Sequence, residues 1–204
     1  MSHWALADIP IDSETAPVQR WFNHAEHMLA LLERHRPMVT VEVGSWKGGS
    51  ATAMARVVRQ WGGVVYCVDT WTGDATGGPV LSAQYLPTMI SQVAANLVQQ
   101  GVSPSVRLIP ALSVDAAAAW HGPIDCLFID ADHTYASVRD DLAAWWPRLR
   151  VGGVIAGDDY NSEWYPGVTR AWDEFERVMG QSFDRDETIG STPPGMVFIS
   201  GVKR

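Results

Sequence analysis

Short apolar runs rich in β-branched residues recur along this chain, each followed by a stretch with helical spacing, and no other feature constrains its fold so tightly. Val39-Thr-Val-Glu-Val43 reads as a first strand, and residues 48–60 behind it keep Ala51, Met54, Ala55 and Val58 on one helical face. Residues 63–68 form a second strand, which completes a βαβ unit. Further strands read at 106–109, 124–129 and 152–157, and helices at 89–100, 114–120, 134–149 and 167–179. Residues 182–184 and 196–200, parted by Pro193-Pro194-Gly195, read as an antiparallel closing pair. Strands joined through helices pair in parallel, so the pattern predicts an α/β fold with a doubly wound, mostly parallel sheet of seven strands.

The chain has 204 residues, 47% of them hydrophobic, enough for one core and few for two, so a single domain over 1–204 is expected. Its parts are an N-terminal helical segment, 1–37, lying over the site, and a core, 38–204, with an inserted loop at 70–88 rich in Gly, Pro, Thr and Ser. An ordered loop of that size within a compact domain is usually functional. The chain lacks the run of about eighteen apolar residues that a membrane span needs. Its first residues have neither the basic start nor the apolar centre of a signal peptide, so a cytoplasmic protein that meets no membrane is expected. A formal net charge of −8, with 15 scattered Lys and Arg, speaks against nucleic acid as a partner. The sequence leaves a homo-oligomer open. Cys67 and Cys126 fall inside apolar strands and read as buried, reduced thiols. His24, His27 and His35 belong to the polar face of a helix at 18–36, while Trp145, Trp146 and Trp172 read as core.

Residues with chemistry gather where the strands end. Asp130 and Asp132 follow the fourth strand in Ile-Asp-Ala-Asp-His133, and Asp158-Asp159 follow the fifth. Strand C-termini on one sheet edge are where open α/β folds bind ligands, so these carboxylates converge. Together they repel one another unless a cation sits among them, and an all-oxygen set suits Mg²⁺, Mn²⁺ or Ca²⁺. Asp132, past the end of the strand, reads as a capping residue before Thr134. After the first strand, Glu42-Val-Gly44-Ser45-Trp46-Lys-Gly48-Gly49-Ser50 brings backbone N–H groups and a helix N-terminus toward a ligand. A dinucleotide fingerprint starting at Gly44 wants Gly where Trp46 stands, which weighs against NAD. Asp69 ends the second strand, where an acid grips a ribose diol. Ribose without pyrophosphate is what S-adenosylmethionine (SAM) presents.

These motifs resemble class I SAM-dependent methyltransferases over roughly residues 39–180. Within that superfamily they are most similar to metal-dependent O-methyltransferases of the catechol kind and of the macrolide-sugar (macrocin and mycinamicin) kind. The resemblance implies a Rossmann-like sheet with an antiparallel last strand. It also implies a SAM site built from Glu42, Gly44, Ser45, Trp46, Ser50, Asp69, Ser113 and Asp130. Mg²⁺ (or Mn²⁺) is implied on Asp130, Asp158 and Asp159, and His133 stands where these enzymes carry a general base. Asp159 replaces the Asn of the catechol type and matches the Asp-Asp of the sugar-modifying enzymes, as His133 matches their base. The implied activity is O-methylation of a small hydroxylated acceptor of sugar or natural-product type. Alternatives are a metal-independent SAM methyltransferase acting on nitrogen or a carboxylate, and a non-catalytic or NAD-linked Rossmann-type binding protein.

Overall fold

The computed structural model describes residues 25–72, 86–186 and 198–204. In chain order the elements are α1 (Ala25–His35), β1 (Val39–Val43), α2 (Gly49–Val58), β2 (Val64–Asp69), α3 (Leu86–Gln99), β3 (Val106–Pro110) and α4 (Ser113–Ala118). They continue with β4 (Ile124–Ile129), α5 (Tyr135–Trp145), β5 (Leu149–Gly157), α6 (Pro166–Met179), β6 (Phe183–Arg185) and β7 (Ile199–Lys203). The strands form one sheet in the order β3-β2-β1-β4-β5-β7-β6, with β7 antiparallel to both neighbours and the strands from β3 to β5 parallel. This is the expected doubly wound, seven-stranded sheet.

Its register places the site. Val43 lies opposite Val68 on one side and Ile129 on the other, and Ile129 lies opposite Gly157. Gly44, Asp69, Asp130 and Asp158 therefore leave the sheet along a single edge. Between β1 and β4 the strand order reverses, so the chains leaving them diverge to opposite faces and open a crevice.

Each face of the sheet buries its own apolar layer. Met28, Leu31, Met54, Val93, Leu97 and Phe128 join α1, α2 and α3 on one side. Val138, Leu142, Trp145, Trp146, Trp172 and Phe175 join α5 and α6 on the other, so these three tryptophans are core, as expected. Cys67 and Cys126 are buried free thiols. Among the described residues, no helix is long and apolar enough to cross a membrane.

Boundaries differ from the sequence reading where a local signal was overridden. The fifth helix stops at Trp145 rather than 149, because Pro147 has no N–H to give and a 3₁₀ turn, Trp146–Arg148, follows. The fifth strand begins at Leu149, ahead of its two glycines, and the exposed residues 150–152 hide its strand character. The third helix starts at Leu86, which shortens the 70–88 loop; residues 73–85 of that loop lie outside the described residues. So do 1–24, with most of the N-terminal segment and His24. The last strand runs on to Lys203.

Candidate active site

Alternation along β1 sends Val41 and Val43 into the α5/α6 layer and points Glu42 to the opposite face, where it is fully buried. Its carboxyl accepts hydrogen bonds from the hydroxyls of Ser45 (2.5 Å) and Ser50. Burial pushes Glu42 up to about 7, and the charge of Asp69 adds to the rise while the two serines oppose it. The loop holding Ser45 and Trp46 is tied down by Asp69 at the end of β2. One Asp69 oxygen accepts the backbone N–H groups of Ser45 (2.9 Å) and Trp46 (2.8 Å), and the other accepts that of Trp71 (2.6 Å). The Trp71 indole N–H closes the circuit on the Trp46 carbonyl at 2.8 Å.

Asp69 was expected on a ribose diol. A carboxylate has roughly four lone-pair positions, and three of them are engaged by backbone here, so Asp69 organises two loops before it meets any ligand. Trp46 and Trp71 both take left-handed backbone, at φ 43° and 50°. Non-glycine residues hold that conformation at a cost, and such positions cluster at functional edges. The Trp46 ring packs partly against the α1/α2/α3 layer. Ser113, expected along an adenine, accepts from the Trp145 indole at 2.9 Å and bonds to buried Asp141, which burial pushes up to about 6.

The second cluster lies one strand over. Gly44 abuts the backbone of Asp130 so closely that the two loops form one surface. Asp132 accepts the Thr134 N–H (2.7 Å) and Thr134 caps α5 through Ser137, so Asp132 serves the turn. That turn presents His133, whose Nε2 lies 2.8 Å from an Asp159 oxygen and 3.9 Å from one of Asp130. Asp158 accepts the N–H of Asp159 (2.9 Å), and Asp159 itself is left-handed at φ 58°. Burial, then the charge of Asp158, push Asp130 well above the usual carboxylate range.

Donor atoms of Asp130, His133 and Asp159 all lie within 4.8 Å of one another, a mixed nitrogen and oxygen set with Asp158 beside it. A mixed set of this kind fits a divalent cation, which would offset the carboxylate repulsion that adds to burial in raising Asp130. Sequence reasoning put Asp130, Asp158 and Asp159 on one sheet edge, whereas the donor group in the structure is Asp130, His133 and Asp159; it did not show His133 within hydrogen-bonding reach of Asp159. Nor did it single out Tyr165 within the 160–166 segment expected to meet the acceptor; its ring stacks on His133 at 4.1 Å and 21°. An aromatic in a loop carries no periodic signal that would have marked it.

Crevice, glycine-bound loops and acidic edge together define a Rossmann-like protein of methyltransferase type. A sequence family described as a methyltransferase domain matches residues 41–160, which hold both clusters, and the chain belongs to that family. A Streptomyces olivaceus protein, 8-demethyl-8-(2,3-dimethoxy-alpha-L-rhamnosyl)-tetracenomycin-C 4'-O-methyltransferase, is 31% identical over 138 residues, which is 59% of this chain and 52% of that protein. The chain thus spans about half the length of this relative. The O-methyltransferase NovP superposes with a TM-score of 0.65 at 20% identity, over 89% of this chain and 78% of that one. An O-methyltransferase from Bacillus cereus in complex with SAH does so at 0.63 and 15%, over 92% and 84%. These structures share the fold, and the resemblance to class I SAM-dependent O-methyltransferases is borne out.

Proposed function

We propose that this protein is a SAM-dependent O-methyltransferase that uses a divalent metal to methylate a hydroxyl of a small acceptor of sugar or natural-product type. The observation that carries the reading is the convergence of Asp130, His133 and Asp159 beside the loop held by Glu42 and Asp69. The matching relative, named for methylating a rhamnosyl group, supports a sugar-bearing acceptor.

SAM is assigned to Glu42, Gly44, Ser45, Trp46, Ser50, Asp69 and Ser113, with Asp130 at the junction. Glu42 faces the methionine end, where a cationic ammonium favours its ionised form. Asp130, Asp158 and Asp159 would hold Mg²⁺ or Mn²⁺, which supplies Lewis acidity that lowers the pKa of an acceptor hydroxyl. His133 takes the hydroxyl proton, which requires the neutral ring. The exposed Trp164, on the loop after Asp159, would border the acceptor.

A second reading rests on the 2.8 Å contact between His133 Nε2 and Asp159, in which Asp159 orients the ring without a cation and the other ring nitrogen is the base. Methyl transfer from SAM, assayed with and without EDTA, decides between them. Activity lost in chelator and restored by Mg²⁺ or Mn²⁺ supports the metal; full turnover in chelator leaves the dyad. No SAM binding by calorimetry overturns both.

A further inference from the structure

We propose that Tyr165 is a positioning residue that holds the His133 imidazole in the plane it needs to take a proton. The proposal rests on His133 as the base. An imidazole on a loop can turn about two side-chain bonds, and what packs on its face sets the plane that edge contacts do not. Asp159, 2.8 Å from Nε2, fixes where that nitrogen points. The Tyr165 ring, stacked at 4.1 Å and 21°, fixes the plane. The two restraints come from opposite ends of one loop, the connection from β5 to α6.

That loop is anchored to the backbone of His133 itself. Gly167, two residues after Tyr165, lies so close that an added Cβ would be 2.7 Å from the Tyr135 nitrogen and 3.3 Å from the His133 carbonyl oxygen. The Tyr165 carbonyl accepts the Val168 N–H at 3.0 Å, and the Asn161 N–H reaches the Thr169 hydroxyl at 2.9 Å. Tyr160, at the loop's start, donates to Asp173 at 2.8 Å. The phenol ring is thus set against the imidazole by helix α6, and moving the helix start moves the stack. Tyr165 is 38% exposed, so its removal leaves the apolar core intact.

The experiment compares Tyr165→Ala, Tyr165→Phe, Gly167→Ala and His133→Ala in the full chain. Misplacing a catalytic group by about an ångström costs up to about a hundredfold in rate, so Tyr165→Ala is expected to lose at least about tenfold in kcat. SAM affinity and acceptor KM should stay within about threefold, since the lost contact bears on the proton-transfer step alone. Tyr165→Phe keeps the stack and should retain activity, whereas Gly167→Ala should behave like Tyr165→Ala. By NMR, the His133 ring protons of the protein alone should lose their ring-current shift in Tyr165→Ala and keep it in Tyr165→Phe.

His133→Ala impaired with Tyr165→Ala at the wild-type rate overturns the positioning role and leaves the base standing. His133→Ala at the wild-type rate overturns the base, and the positioning role with it. Tyr165→Phe as damaged as Tyr165→Ala overturns stacking as the cause.

Discussion

A Cβ added to Gly44 would sit 2.0 Å from the carbonyl oxygen of Asp130 and 2.6 Å from the Cα of Ala131. The loop after β1 and the loop after β4 are therefore in direct backbone contact, and the two halves of the proposed site share one wall. The obstacle is backbone, which no rotamer change relieves, and Gly44 also takes φ +88°. Gly44→Ala should destabilise the fold by about 3 kcal/mol or more. Gly48→Ala makes a useful contrast, since its Cβ would meet only side chains, Val93 at 3.4 Å and Leu97 at 3.7 Å, and its φ of +79° leaves about 1 kcal/mol of backbone strain. Urea unfolding of both variants checks the difference; equal losses would show that the loop contact yields easily.

Glu42 makes stability depend on pH. Its carboxyl titrates near 4.5 in an open chain and about 7 in the folded protein, so the folded state holds the proton more tightly. Stability from this group is highest below 4.5, falls as pH rises toward 7, and is then lower by on the order of 3 kcal/mol. Glu42→Gln removes that slope. Unfolding midpoints of both proteins at pH 5 and pH 7.5 provide the measurement, and parallel pH dependence would rule out Glu42 as the titrating group. Saturating SAM should also flatten the wild-type slope, if its ammonium meets the ionised carboxylate.

The order of strands and helices was legible because each element is long enough to show its period, and the acids at strand ends were legible because topology alone brings them to one edge. Side-chain partners were not. Asp69 ends β2 as expected, yet nothing in its neighbours' names says that the amides of Ser45, Trp46 and Trp71 fill most of its oxygens. The stack of Tyr165 on His133 joins two loops 32 positions apart, set by how α6 lands on α5. The end of α5 was misplaced for a different reason, since the apolar spacing continues through Trp146 while Pro147 breaks the hydrogen-bond ladder.

Removing the Asp69 carboxylate should harm both the loops and the cofactor site. Asp69→Ala strands three backbone N–H groups that are partly shielded from water, each costing about 1–3 kcal/mol if no water replaces the carboxylate. A fall in melting temperature is expected together with at least a tenfold loss of SAM affinity, about 1.4 kcal/mol. Calorimetric titration with SAM, paired with a thermal melt, separates the two effects. Weakened SAM binding with an unchanged melt would mean that the loop bonds contribute no net stability.

The last prediction concerns which side chains hold the ion. If Asp130, Asp158 and Asp159 are its ligands, converting each to Asn removes a charged oxygen and should lower Mn²⁺ affinity at least about tenfold. Asn is well suited to the left-handed backbone of Asp159, at φ 58°, so Asp159→Asn changes charge with little change in shape. His133→Ala should leave Mn²⁺ affinity within about threefold, because a base lies outside the ion's ligand shell. The structure makes this a sharp test, since the His133 Nε2 is as well placed for the ion as either nearby carboxylate. Electron paramagnetic resonance of Mn²⁺ titrated into each variant reads the affinity directly and needs no acceptor. Should His133→Ala weaken Mn²⁺ as much as Asp159→Asn does, while Asp158→Asn has little effect, the imidazole is the third ligand. The acceptor's proton must then go to another group.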